Sequence, residues 1–364
     1  MNPLTAFSNT RPRFLPHVAA LSGLVLLVGC SATSPATDKS AQSVKGSCAK
    51  QAQLFSTDDA SGAADYKKVV ADLGPVKKPA GDVKIGSIMK FLGNQYWAAL
   101  SKGETKQGNA YGTKIDVQAA ASESDQLGQL NAAQTMVQKG YKALLVSPQT
   151  DTNLCPAVEK AESSKVLVMN VNDAVLPNAQ HWVGPNQIQN GVTAAQFVAK
   201  QAGKGAEVAI IQGQAGVYAA RQRTKGFTDT ATKNGLKVVA SVPGDWDISK
   251  AQDAASTILQ SHPNLKAFYA NNDIMALGVA EAVKKAGKTG KVIIVGTDGI
   301  ADAYDAIRKG SITATVDSYP ELTGQVAVEM VVRLLDGQKV PRAVYTPQAL
   351  ITKANVNDPA PTLQ

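Results

Sequence analysis

Residues 142–147 read KALLVS, residues 165–171 read KVLVMNV and residues 291–296 read KVIIVG. Each run opens on a lysine and is then almost continuously apolar. A strand with one wet face alternates apolar and polar residues. An unbroken run belongs to a strand covered on both faces, as in a parallel sheet sandwiched between helices. Six more β-rich runs, at 83–88, 114–118, 207–212, 236–242, 266–270 and 312–317, extend the pattern. Between them lie segments with helical spacing. Leu127, Leu130 and Val137 before Gly140 form one, and Leu322, Val326, Met330 and Leu334 before Gly337 form another. Asn234-Gly235 and Ala286-Gly287 read as helix C-caps, where glycine accepts the left-handed conformation. Strands recurring every ~25–30 residues with helices between them are βαβ units.

The expected fold is therefore α/β. Nine strands are too many for one small open sheet of this type, so two Rossmann-like lobes with parallel sheets are expected. The polar stretch Trp182–Asn190 (WVGPNQIQN), which contains Pro185, is a place for a crossover. Ligands collect at the carboxyl ends of strands in such sheets. Two lobes facing each other would share one site in the cleft.

The N-terminus says where the chain goes. It carries Arg11 and Arg13, has no acidic residue before position 38, and continues in an apolar run from Val18 to Val28. That run makes ~16 Å of helix, about half of a ~30 Å hydrocarbon core, and reads as a secretory signal. Leu27-Val28-Gly29-Cys30 resembles the lipobox of bacterial lipoproteins. The resemblance implies removal of residues 1–29, a lipid on Cys30, and a location in the periplasm or at the cell surface, anchored to a bacterial membrane. Processing would leave 335 residues and lower the formal charge from +8 to +6. A high charge first suggests nucleic acid, but outside the cytoplasm no nucleic-acid partner is expected. No other stretch approaches 18 apolar residues, so the lipid is the expected membrane contact.

With Cys30 lipidated, Cys48 and Cys155 remain as an even pair in an oxidising compartment, and a disulfide between them is expected. A loop of that length is worth ~4–5 kcal/mol in the chain-entropy picture. Residues 30–80 read as a polar tether, with one short helix around 63–73, which the bridge would fold back onto the body.

Only His17, His181 and His262 occur, which argues against multi-histidine metal sites, and no metal or cofactor is expected. HExxH, GxSxG and P-loop patterns do not occur. Gly213 and Gly216 follow a strand and open a helix, but the dinucleotide fingerprint is missing and a tight turn explains both. The pairs Lys77-Lys78 and Lys284-Lys285 read as solvated faces. What remains is a set just after strands: Asn94, Tyr96, Trp97, Arg223, Trp246, Asn272 and Asp298. Flat rings cover the C–H faces of a sugar, while Asn, Asp and Arg meet its outward hydroxyls.

On these residues the sequence resembles the ribose-binding-protein family of periplasmic binding proteins, the type I fold of sugar ABC transporters. The resemblance covers roughly 83–352 and rests on GNQYW, AARQRTKGF, GDWD, ANNDIMALG and GTDG in combination. It implies that Asn94, Tyr96 and Trp97 are the Asn-x-aromatic-aromatic ligand contacts and that Arg223 is the pocket arginine. Trp246 would stack on the sugar, and Asn272 and Asp298 would bind hydroxyls. Departures occur at Asn170-Val171, where the family commonly places Asp-Arg, with Asn172 or Asp173 as substitutes if the strand end bulges. Lys90 stands where ribose binders carry a small hydroxyl residue, and Ser318 replaces a glutamine. Lys90, Asn170 and Asn172 therefore join the candidate set, and the ligand stays open between ribose, another sugar, a polyol and a smaller polar solute.

The resemblance further implies three crossovers, near 185, 318 and 347. The first lobe would be 83–185 plus 319–347, and the second 186–318 plus 348–364. A hinge would close on the ligand of a monomer, which would deliver it to ABC permease subunits. A sensory protein of the same fold, reporting to a chemoreceptor or sensor kinase, reads equally well. A repressor needs a helix-turn-helix where this chain has a signal segment and tether. An enzyme reading would pair Asp298 with Asp247, but hydroxyl binding needs fewer assumptions.

Overall fold

A computed structural model of the chain describes Cys48 and residues 63–358. The signal run, Cys30 and most of the tether lie outside the described residues. In chain order the elements begin with β1 (Ala64–Asp65), α1 (Tyr66–Leu73), β2 (Lys84–Met89), α2 (Gln95–Tyr111), β3 (Lys114–Ala119), α3 (Gln126–Gln138), β4 (Ala143–Val146), α4 (Cys155–Ser163), β5 (Leu167–Val171) and β6 (His181–Pro185). There follow α5 (Gln187–Ala202), β7 (Glu207–Gln212), α6 (Tyr218–Lys233), β8 (Lys237–Pro243), α7 (Ile248–Ser261), β9 (Ala267–Ala270), α8 (Asp273–Lys285), β10 (Ile293–Asp298), α9 (Ala301–Lys309) and β11 (Ala314–Asp317). The described chain ends in α10 (Pro320–Leu335), β12 (Ala343–Thr346) and β13 (Ala349–Thr352).

The strands form two sheets, ordered β1-β12-β6-β5-β4-β2-β3 and β13-β11-β10-β9-β7-β8. All pairings are parallel except that of β13 with β11. Burial on both faces accounts for the unbroken apolar runs. In the first sheet Ile85, Leu145 and Val183 pack under α2 and α10, while Ile88, Leu144 and Val146 pack under α3 and α4. In the second, Ile211, Phe268 and Ile294 face α7 and α8, while Ile210, Tyr269 and Val295 face α5 and α6. The chain crosses from the first sheet to the second after Pro185, returns after Asp317, and crosses again after Thr346.

Four strands escape the sequence reading. Strand β6 overlaps the polar stretch Trp182–Asn190, within which the chain does cross after Pro185, and it is paired on both sides by β12 and β5, with Trp182 buried. Strands β1, β12 and β13 are two to four residues long, too short to show a period. The end of the tether carries the expected short helix as α1. Residues 64–73 join the body, because β1 extends the sheet beside β12 and Asp65 caps α1 by accepting from the Lys67 and Lys68 N–H groups. The Tyr66 hydroxyl donates to Glu329 at 2.8 Å, and Arg333 donates to the Gly74 carbonyl at 2.8 Å. A disulfide joins Cys48 to Cys155 at the start of α4, with 5.4 Å between Cα atoms. Among the described residues no helix is long and apolar enough to cross a membrane.

Helices α2 and α10 cross at backbone contact. A Cβ on Gly103 would lie 1.9 Å from the Glu321 carbonyl oxygen, and one on Gly324 would lie 2.1 Å from that of Leu100. Glu104 is sealed beside this crossing with neither carboxylate oxygen hydrogen-bonded among the described residues. Burial raises its pKa from the usual 4.5 to about 8, with the nearby Ser87 hydroxyl opposing. The folded state therefore holds this proton where the unfolded chain has released it, and stability falls as pH rises between those two values. Glu104→Gln removes that loss. In urea titrations the variant should gain roughly 2–4 kcal/mol on wild type between pH 5 and pH 8. Parallel pH profiles would show that Glu104 titrates as an ordinary carboxyl.

Candidate functional site

The carboxyl ends of both sheets face one space of about 270 Å³. From the first lobe it is lined by Asn94, Tyr96 and Trp97 at the start of α2, Glu123 before α3, and Asn172 and Asp173 after β5. From the second come Arg223 of α6, Trp246 before α7, Asn272 before α8, and Asp298 at the end of β10. A wider groove of about 1320 Å³ adjoins it and shares Asn94, Glu123 and Trp246.

Local chemistry sets several of these positions. Asn94 and Asn272 cap their helices, accepting from the Tyr96 and Met275 N–H groups at 2.9 Å. Asn172, Trp246 and Asp298 hold positive φ angles of 66°, 63° and 139°. Such conformations cost energy in non-glycine residues and concentrate at functional sites. Gly213 makes room for one of them, since a Cβ there would lie 2.0 Å from the Trp246 ring. The Gly213 N–H donates to Asn271 Oδ1 at 3.1 Å and is not free to hold an anion.

Arg223 is 2% exposed and donates through Nε to Gln187 Oε1 at 2.7 Å. Its Nη1 reaches the Asn271 carbonyl at 2.6 Å and Asp298 Oδ1 at 3.1 Å. Burial drives the Asp298 pKa well above the carboxylate range, and the guanidinium pulls it back. Asp273 pins the loop behind it, accepting from the Gly299 and Ile300 N–H groups and the Thr315 hydroxyl. Burial lifts Asp273 to about 6. On the opposite wall Glu123 accepts from Asn94 and from the Trp97 indole at 3.0 and 2.9 Å. Its pKa is also raised, by burial, with Lys90 opposing.

Eight of the ten sequence candidates line this space: Asn94, Tyr96, Trp97 and Asn172, with Arg223, Trp246, Asn272 and Asp298. Two do not. Lys90 sits behind the wall, ion-paired with Asp173 and 5.4 Å from the Trp97 ring centroid. Asn170 spends its side chain on the Ala174 carbonyl and the Leu176 N–H, holding the turn after β5. Asp247 is exposed as the cap of α7 and forms no pair with Asp298. Glu123 was not read from the sequence, where it is one acid in a polar loop. Asp173, weighed there only as a substitute, lies on the wall beside Asn172.

Three crossing segments are hydrogen-bonded to one another. Asn190 donates to Gln187 at 3.1 Å and Ser318 at 3.3 Å, and accepts from Gln348 at 2.8 Å. Gln187 also donates to Asn172 at 3.2 Å, so the crossing segments and the cavity wall share one hydrogen-bond network. Asp151, before α4, accepts from the Tyr218 N–H at 3.1 Å and from Arg221 at 2.8 Å, both in α6.

Arg223→Lys keeps the charge but cannot satisfy these diverging partners at once. We expect unliganded Arg223→Lys to lose ~2–4 kcal/mol in urea denaturation, because buried polar groups are left unmade. A loss within experimental error would mean that the guanidinium network does not hold the site.

The model of the periplasmic binding protein domain matches residues 85–339. The chain is 36% identical over 255 residues to the D-allose-binding periplasmic protein of Escherichia coli (strain K12), covering 67% of this chain and 82% of that one. It is 33% identical over 270 residues to the ribose import binding protein of Bacillus subtilis (strain 168), covering 74% and 87%. Among solved structures, an ABC transporter periplasmic solute binding protein from Actinobacillus succinogenes 130z with bound D-allose gives a TM-score of 0.73 at 26% identity, covering 76% of this chain and 100% of that one. Two parallel-sheet lobes, a polar and aromatic cavity at their strand ends, and matches across most of the body lead to one assignment: the chain belongs to the periplasmic binding proteins of type I fold, in the ribose-binding family.

Proposed function

We propose that this protein is an extracytoplasmic lipoprotein that captures one sugar or polyol between its lobes and delivers it to the permease of an ABC importer. The cavity carries the reading. It sets aromatic rings (Tyr96, Trp97, Trp246) beside carboxylates, amides and one guanidinium around one space at the strand ends of both sheets. Rings cover apolar C–H faces, and the charged and amide groups make strong hydrogen bonds to hydroxyls. The relatives named for D-allose and ribose point to the same ligand class.

Capture works through closure. The proposed lobes are 83–185 with 319–347, and 186–318 with 348–364, moving about the crossings at 185, 318 and 347. A ligand touching both walls favours the closed state by its extra contacts there. Turning a 1% closed population into 99% requires ~5.5 kcal/mol of differential binding, within reach of several charge-assisted hydrogen bonds plus stacking. The protein acts as a monomer, held to its membrane by the lipid on Cys30.

A thermal-shift panel of D-allose, D-ribose and other sugars and polyols tests the cavity. At least one compound should raise the melting temperature, and Trp246→Ala should weaken its binding ~10–100-fold. A flat panel would remove the sugar reading. For the anchor, Cys30→Ser should move the protein from the membrane fraction to the soluble one. Unchanged membrane retention would exclude lipidation at this cysteine.

A further inference from the structure

Two polar atoms of the cavity wall have no hydrogen-bond partner among the described residues: the Tyr96 hydroxyl and the Trp246 indole N–H. They belong to opposite lobes, Tyr96 to the first turn of α2 and Trp246 to the loop before α7. Tyr96 is 2% exposed. A hydroxyl buried that far and left unmade costs its full desolvation, and native proteins leave few such groups without a reason.

Packing does not require the oxygen. The Tyr96 ring meets Trp97 edge-on at 5.0 Å and lies in the apolar cluster of the first lobe, contacts a phenylalanine would keep. The charges acting on the hydroxyl are chiefly those of Asp298, Arg223 and Asp173, all of which line the same space. Burial and the neighbouring carboxylates hold the phenol protonated, so it always has a hydrogen to donate. Asp298 turns one carboxylate oxygen to Arg223 and makes no other side-chain hydrogen bond among the described residues.

We infer that the Tyr96 hydroxyl is a specificity determinant that reads one hydroxyl of the bound polyol: it donates to that oxygen, whose own proton is donated to the Asp298 carboxylate. The Trp246 N–H, from the facing lobe, donates to a second ligand oxygen. Closing on a polyhydroxylated ring then satisfies both buried atoms at once. An analogue lacking the read hydroxyl leaves Tyr96 unmade again and is rejected. This inference rests on the cavity being a sugar or polyol site and adds which protein atom enforces one position of the ring.

The test is isothermal calorimetry on the full chain with D-allose, D-ribose and myo-inositol, followed by the monodeoxy analogues of the tightest binder. On wild type, removing one hydroxyl should weaken binding ~10–100-fold. Tyr96→Phe should weaken the parent compound by a similar factor and bind that one deoxy analogue no worse than the parent, the coupling expected of a direct contact. The unliganded variant should melt at or above the wild-type temperature, since it loses only an unmade polar group. Equal parent affinity in wild type and Tyr96→Phe overturns the inference and leaves the sugar reading standing. Identical deoxy profiles in the two proteins, or a lower melting temperature of the unliganded variant, also overturn it by making the hydroxyl structural. Failure of every polyol to bind wild type overturns the sugar reading, and this inference with it.

Discussion

The guanidinium of Arg223 lies inside the protein and reaches the Gln187 amide, the Asn271 carbonyl and the Asp298 carboxylate at 2.6–3.1 Å. A charge at that depth is tolerated only when it is paired and its donors are occupied. Its partners come from the start of α5, the end of β9 and the end of β10, so three separate segments must arrive together before the charge can be buried. The same requirement fixes Asp298 on the cavity wall in a backbone conformation with φ at 139°. Burying this one charge thus ties the cavity wall to the packing of three separate segments.

Gln187 extends that constraint to the connection between the lobes. Its amide bonds Arg223, Asn190 and Asn172, while Asn190 bonds segments that cross near 318 and 348. Polar side chains carry these contacts, and the buried Asn190 is satisfied by partners from both other crossing segments. The crossings and the cavity wall are thus linked through the Gln187–Asn172 hydrogen bond. Asp317 stands at the second crossing, where it accepts from the Tyr304 hydroxyl and the Tyr319 N–H at 2.6 Å each. Burial raises its pKa to about 7.

The first lobe carries an addition that the second does not. Strand β1 and helix α1 extend its sheet and are held by Tyr66, Glu329 and Arg333, with the Cys48–Cys155 bridge on another face. Arg333 and Glu329 are buried together on α10 one turn apart, so the arm closes over an ion pair already made within the helix. The arm arises from the stretch that composition alone marks as tether, because polar residues that pair with a distant helix look the same in sequence as polar residues in water.

Local chemistry determined what could be read from the sequence. Burial on both faces writes itself into a strand as an unbroken apolar run, so nine strands and the two-lobed parallel architecture were legible. Position just after a strand is equally local, which made Asn94 and Asn272 recognisable, and the parity of cysteines led to Cys48–Cys155. The tertiary structure alone decided which polar side chains face the cavity. It turned Lys90 and Asn170 inward to the partners Asp173, Ala174 and Leu176 and brought Glu123 in from a loop without pattern. It also made strands of β1, β6, β12 and β13, whose hydrogen-bond partners lie far away in the chain. Secondary structure repeats with a period a sequence displays, whereas the direction of one polar side chain depends on partners that only the folded chain brings within 3 Å.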